Sequence, residues 1–212
     1  MSERMNDVFG RMLGSYLSWM TSRQFVRVLL ESSGTPSESV LLDGARNTRE
    51  WFDEEFSTRE KYRVLKQYRP RRARRLKHCE WSIESYPVSE LGTVLPETGD
   101  LPPSELTGPL TDVVTYVRDR IEAGDSDSYS VRYVENLEAV PELVADFPPI
   151  VIEPGWIQRS PEVMGRHHGG SWDVMSMPGY VEDGNHRALA RAIHTDSSEI
   201  TCFVGRHRWF RW

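Results

Sequence analysis

The sequence predicts an α+β protein, with a helical N-terminal region over residues 1–80 and a small mixed sheet-and-helix domain over residues 81–212. Three observations carry this reading. Apolar residues recur at helical spacing through the N-terminal region. After Trp81 that period gives way to short β-branched or alternating runs set between helical ones. The C-terminal part reads strand, tight turn, helix, strand.

The first helix is expected over residues 5–31. Val8, Met12, Tyr16 and Met20 step by four, with Phe9, Leu13 and Leu17 beside them and Phe25, Val28 and Leu29 extending the face. Gly34 and Pro36 supply a stop. The Asp-Gly pair in "LLDGARNTREW" reads as a turn leading into a helix. Residues Asn47 to Pro70 predict one or two more helices: Trp51, Phe52 and Phe56 form one apolar group, and Tyr62, Leu65 and Tyr68 another. Ser57 or Thr58 is placed to cap the second, and Pro70 limits its continuation.

Beyond Trp81 a short strand is expected near 82–87, followed by a surface loop rich in proline and glycine. Val113, Val117 and Ile121 predict a helix capped by Thr111 or Asp112 and ended by Gly124. "YSVRYV" alternates and reads as a strand. "NLEAVPELVADF" reads as a second helix with Pro141 in its first turn, and "PPIVIE" as a strand. Residues 154–178 have no clear period and form an insertion. Gly165, Gly169 and Gly170 make it a candidate covering loop, with an ordinary surface loop as the plainer reading. His167, His168 and Asp173 lie in it without a third ligand at metal-like spacing, so no metal site is expected.

Composition narrows the class. A net charge of -6 excludes a uniformly basic nucleic-acid coat. Cys79 and Cys202 give neither a disulfide framework nor a CxxC pair, and each reads as a small buried apolar residue. No secretory leader or membrane span is legible, so a cytoplasmic protein is expected. Charge is uneven, however. From Arg59 to Lys77 ten residues are basic and only Glu60 opposes them. Arg63, Lys66, Arg71, Arg72, Arg74 and Arg75 are therefore candidate contacts to nucleic-acid phosphates, with Tyr62 and Tyr68 interleaved. The alternative is a solvated helix face. In the tail, "GRHRWFRW" interleaves arginines and aromatics, which suits either base stacking or a capped core.

Asp183-Gly184-Asn185-His186-Arg187 sits between the last two-strand elements, just before an alanine-rich helix. A helix beginning after Gly184 presents backbone amides and a positive dipole end to an anion. Gly184 permits the tight turn, Asn185 can cap, and Arg187 offers a fork of donors matched to phosphate oxygens. His186 can donate a hydrogen bond or shuttle a proton, and Asp183 can hold Mg2+ or accept a proton from a hydroxyl. The phosphates would rest on the amides of Asn185, His186, Arg187 and Ala188. An ordinary Asp-Gly-Asn turn followed by a solvated arginine face is the plainer reading.

"VEDGNHRALARAI...ITCFVGR" resembles the phosphate-binding motif of the ParB/sulfiredoxin superfamily. "SYPVSEL" and "LEAVPELVADFPPIVIE" resemble its opening strand and its helix followed by a Pro-Ile-Val strand, so the likeness spans roughly Trp81 to Arg206. It implies a ParB/sulfiredoxin-like small mixed sheet with packed helices, preceded by a helical extension. Sulfiredoxins carry a catalytic cysteine where Asn185 stands, so sulfinic-acid reduction is not expected. Chromosome-partitioning ParB proteins, which bind CTP, have Gly-Glu-Arg-Arg-x-Arg; here Asn185, His186 and Leu189 depart from that pattern. Branches with Asp-Gly-x-His-Arg are similar to free-serine kinases and to ATPases linked to DNA modification. The likeness thus implies ATP or CTP with Mg2+ as ligand, Asp183 and His186 as catalytic residues, and nucleotide hydrolysis or phosphoryl transfer to a small acceptor. An upstream glutamate acts as base in the kinase-like branch, and Glu90 and Glu97 are the candidates. On this reading Arg187→Ala should abolish nucleotide binding and leave the fold intact. The alternative is a DNA-associated module that uses the basic helix 59–77.

Overall fold

The structure, a computed structural model, describes residues 3–31, 38–94, 107–124, 129–138, 141–153, 177–195 and 197–207. The insertion from residue 154 to 176, Glu97, and the tail from residue 208 lie outside these residues, and with them His167, His168 and Asp173.

Four helices open the chain: α1 (Glu3–Glu31), α2 (Glu38–Glu55), α3 (Thr58–Tyr68) and α4 (Pro70–Lys77). Strand β1 (Cys79–Pro87) follows, then a single 3-10 turn (Val88–Glu90), β2 (Leu91–Val94) and β3 (Thr107–Pro109). Helices α5 (Leu110–Glu122), α6 (Tyr129–Glu138) and α7 (Pro141–Asp146) lead to β4 (Ile150–Glu153), β5 (Gly179–Asp183), α8 (Asn185–His194) and β6 (Glu199–His207). The six strands form one mixed sheet in the order β1-β6-β4-β5-β2-β3. Strand β5 lies inside it, antiparallel to β4 and parallel to β2.

The sheet is covered on both faces, and the two-residue period of the strands sends side chains to two cores. Val151, Val181, Cys202 and Val204 join the core under α5 to α8, with Val113, Val117, Leu137 and Leu189. Ile150, Ile152 and Phe203 face the other way, into a core built with Met12, Leu13, Leu17, Leu65 and Leu76 of the N-terminal helices. The N-terminal region therefore forms the second helical layer over the sheet. Gly14 lets α1 press close to α2, because a Cβ there would strike the Asp53 carboxylate. Lys61 is buried beside it and pairs with Asp53.

The α+β expectation holds, with differences of detail. Helix α6 begins at Tyr129, so Tyr129 to Val134 is helical where an alternating strand is expected. Val131, Val134 and Leu137, at most 1% exposed, recur at helical spacing, and a six-residue β-branched window cannot separate the two periods. "NLEAVPELVADF" is split between α6 and α7, with Pro141 opening the latter. Gly44 lies within α2, where flanking helix formers outweigh a cost of about 1 kcal/mol for glycine. Ser57 caps α3 in a reciprocal box with Glu60. Helix α5 begins at Leu110 behind Pro109 with no side-chain cap, so neither Thr111 nor Asp112 serves. Gly124 follows its C-terminal end at φ +69°.

Candidate functional site

Strand β5 delivers Asp183 to the end of an interior strand, and Gly184 turns the chain into α8. Gly184 has φ +85°, and a Cβ on it would lie 2.7 Å from Arg187 Nη2. Glycine thus answers both a left-handed backbone and a close guanidinium. It also occupies the cap position that the sequence assigns to Asn185. Asn185 is instead the first helical residue, and its Oδ1 accepts a hydrogen bond from the buried Thr93 hydroxyl at 2.7 Å. The Ala188 amide donates to Gly184 O at 2.8 Å, so it belongs to the helix and not to a ligand. Among the expected phosphate donors, the first-turn amides at 185, 186 and 187 remain outside that ladder by helix geometry.

Arg187 differs most from its expected role. It is 2% exposed. Its Nη1 donates to Phe147 O at 2.6 Å, its Nη2 donates to Asp183 Oδ2 at 3.0 Å, and its guanidinium lies 4.4 Å from the Trp19 ring centroid. These contacts tie α8 to the α7–β4 connection, to β5 and to α1. Arg187→Ala would therefore cost stability as well as any binding, because it opens a buried site and strands the groups it satisfies.

The basic cluster meets the motif. Arg72 on α4 donates from Nη1 to Asp183 Oδ1 at 2.9 Å and from Nε to Glu182 Oε1 at 3.1 Å, while Nη2 reaches the Glu182 backbone oxygen. Arg75 pairs with the same Glu182 oxygen. Arg72 also donates to the Tyr16 hydroxyl at 2.7 Å and lies over that ring. Burial works against the charge on Arg72, but Asp183 and Glu182 more than offset it, so its pKa is raised and the guanidinium stays charged. Burial likewise raises the Tyr16 phenol, although Arg72 opposes this. Asp183 thus holds two arginines, one from each side. His186 is oriented by Ser130, whose hydroxyl lies 3.1 Å from Nε2, and by an edge contact with Tyr133.

Tyr16, Trp19, His186 and the Asp183–Arg187 turn line an open cavity of about 680 Å3 between α1, the α3–α4 corner and the β5–α8 turn. Among the described residues, Arg69, Arg71, Arg72, Arg75 and Arg187 line it against Glu182 and Asp183 as the acids. The cavity is an excess of positive charge in a chain of net charge -6. The two helices whose first residues line the cavity, α4 and α8, have no side-chain cap and no acid in the first turn. Helix α3, whose first turn is elsewhere, is capped at Ser57 and carries Glu60.

Arg63, Lys66 and Arg74 are exposed and do not line the cavity. Glu90 is exposed on the 3-10 turn and also lies outside it. Glu182, Tyr16, Trp19 and Tyr68 are site residues that the motif alone does not reveal. For Glu182 the adjacency to Asp183, directly after the apolar pair Tyr180-Val181, was the available signal. Among the described residues no group of three or more His, Cys, Asp or Glu could hold a metal ion, and no helix is long and apolar enough to cross a membrane. No family model, no curated protein and no solved structure matches the chain.

Proposed function

We propose that this protein binds a nucleoside triphosphate, ATP or CTP, in the cavity between α4 and the β5–α8 turn. The observation that carries the reading is the arginine excess there: five arginines and two acidic residues line a cavity of about 680 Å3. That volume suits a nucleotide-sized ligand. Guanidinium forks and a helix N-terminus are both matched to phosphate oxygens. The likeness of Trp81 to Arg206 to the ParB/sulfiredoxin superfamily supports the same placement.

His186, held by Ser130, is positioned to hydrogen-bond to a phosphate. Asp183 and Glu182 fix the arginines that surround it. Mg2+ fits as a companion of the nucleotide's own phosphates, since both carboxylates already accept from arginine and Mg2+ commonly keeps water and phosphate ligands. The reaction class is hydrolysis or phosphoryl transfer to a small acceptor, which relies on positioning and charge neutralisation. Titration calorimetry of the full chain with MgATP and MgCTP tests the reading. Saturable heat with either supports it, and no heat with both sinks it.

A second reading, a DNA-associated module, is favoured by one observation: Arg63, Lys66 and Arg74 stay exposed outside the cavity. Backbone binding through these residues would weaken steeply between low and moderate salt. Absence of a gel shift with duplex DNA at low salt removes it.

A further inference from the structure

The arginines around the cavity fall into two groups. Arg72, Arg75 and Arg187 already donate to Glu182 or Asp183. Arg69 and Arg71 line the same cavity, are exposed, and make no side-chain hydrogen bond or ion pair among the described residues. Tyr68, the last residue of α3, is 63% exposed and also lines the cavity. It is thus an exposed aromatic residue beside the two arginines.

The corner that carries these three residues has a fixed backbone. The Arg69 amide donates to Leu65 O at 2.7 Å and closes α3. Arg69 then leaves helical geometry at φ -138° and ψ 65°, and Pro70 starts α4 at a position that needs no amide donor. The Ala73 amide donates back to Arg69 O at 2.9 Å. The residues are thus held by two helix ends, while the Arg69 and Arg71 side chains make no hydrogen bond or ion pair among the described residues.

From this placement we infer that the α3–α4 corner is the ligand-contacting half of the site: Arg69 and Arg71 take the triphosphate, and a nucleobase stacks on the Tyr68 ring. The inference rests on the nucleotide reading above and moves ligand contact from the motif arginine to the N-terminal layer. Arg187 holds the turn in shape; Arg69 and Arg71 meet the ligand. Stacking on a tyrosine face tolerates different bases, so the corner grips ATP and CTP alike.

The test is calorimetry on the full chain with ATP, CTP and inorganic tripolyphosphate, each with Mg2+. The double variant Arg69→Ala/Arg71→Ala should weaken all three by at least about tenfold, since each loses charge-assisted hydrogen bonds. Tyr68→Ala should weaken ATP and CTP on the order of tenfold and leave tripolyphosphate unchanged. Both variants alter exposed positions and should melt as the parent does. Parent-like affinities in the double variant overturn the inference while leaving the nucleotide reading standing. A Tyr68→Ala variant that affects tripolyphosphate equally, or affects nothing, overturns the stacking. If the parent chain binds none of the three probes, the nucleotide reading fails and takes this one with it.

Discussion

Two of the arginine–carboxylate clusters among the described residues differ in stoichiometry. At the cavity, Arg72, Arg75 and Arg187 surround Glu182 and Asp183. On strands β1, β4 and β6, a single Arg206 serves both Glu84 and Glu153. The Glu182 side chain is 1% exposed, whereas Arg206 and Glu84 are 46% and 36% exposed. The Arg206 cluster is closed on itself at the surface, where water and salt screen it. The cavity cluster is partly buried and leaves a surplus of positive charge, which water screens less than it does at the surface. Four ion pairs at the cavity and two around Arg206 thus differ in the ratio of partners, three arginines to two carboxylates in the one and one to two in the other.

The comparison breaks first at Glu182. Replacing it with alanine leaves Arg72 and Arg75 facing each other without their shared counter-charge. Loss of one member of a buried pair typically costs 3–5 kcal/mol, and because the two arginines are 25% and 32% exposed the lower end, about 3 kcal/mol, is expected. Urea unfolding measures it. A loss under about 1 kcal/mol would mean that the cavity cluster behaves like the surface one.

Arg187→Lys is the next test. Lysine keeps the charge but loses the planar fork that reaches Phe147 O and Asp183 together, and the stack on Trp19. A destabilisation of about 2 kcal/mol is expected by thermal or urea unfolding. Parent-like stability would return Arg187 to the role of an uncommitted ligand-binding group.

Much of this arrangement was legible in the residues. The helical periods of α1 and α3, the Ser57 cap and the strand–turn–helix order around Gly184 depend on local spacing, which a sequence displays directly. What it hides is partnership over long separations. Arg72 and Asp183 lie 111 residues apart, so the basic run and the motif read as two unrelated features until the fold joins them. Asn185 shows the same limit: an amide at a helix start reads as a cap, yet Thr93 on β2, 92 residues away, donates to its oxygen. The alternation of Tyr129 to Val134 misleads for another reason, since six residues satisfy both periods.

Gly184→Ala sharpens the comparison at smaller cost. The added Cβ meets Arg187 Nη2 at 2.7 Å, and the φ of +85° disfavours any L side chain. About 1–2 kcal/mol of destabilisation is expected, and the shifted guanidinium should also weaken whatever the cavity binds. Gly108 is the control, because a Cβ there meets nothing within 4 Å.

The smallest effect belongs to the surface cluster, and its signature is acid dependence. Arg206 donates to both oxygens of Glu84, and this holds the carboxyl down to about 2 from an ordinary value of 4.5, with burial opposing and the Ser82 hydroxyl assisting. Because the folded value lies below the unfolded one, the stabilisation is complete above about pH 4.5 and is lost as pH falls toward 2. Arg206→Ala should therefore cost under about 1 kcal/mol at neutral pH, in keeping with an exposed pair. It should also flatten the fall in stability across that acid window, measured by urea midpoints at successive pH values. An unchanged acid slope, or a neutral-pH loss as large as that of Glu182→Ala, would erase the distinction between the clusters. The stoichiometry of arginine to carboxylate would then say nothing about which of the two faces a ligand.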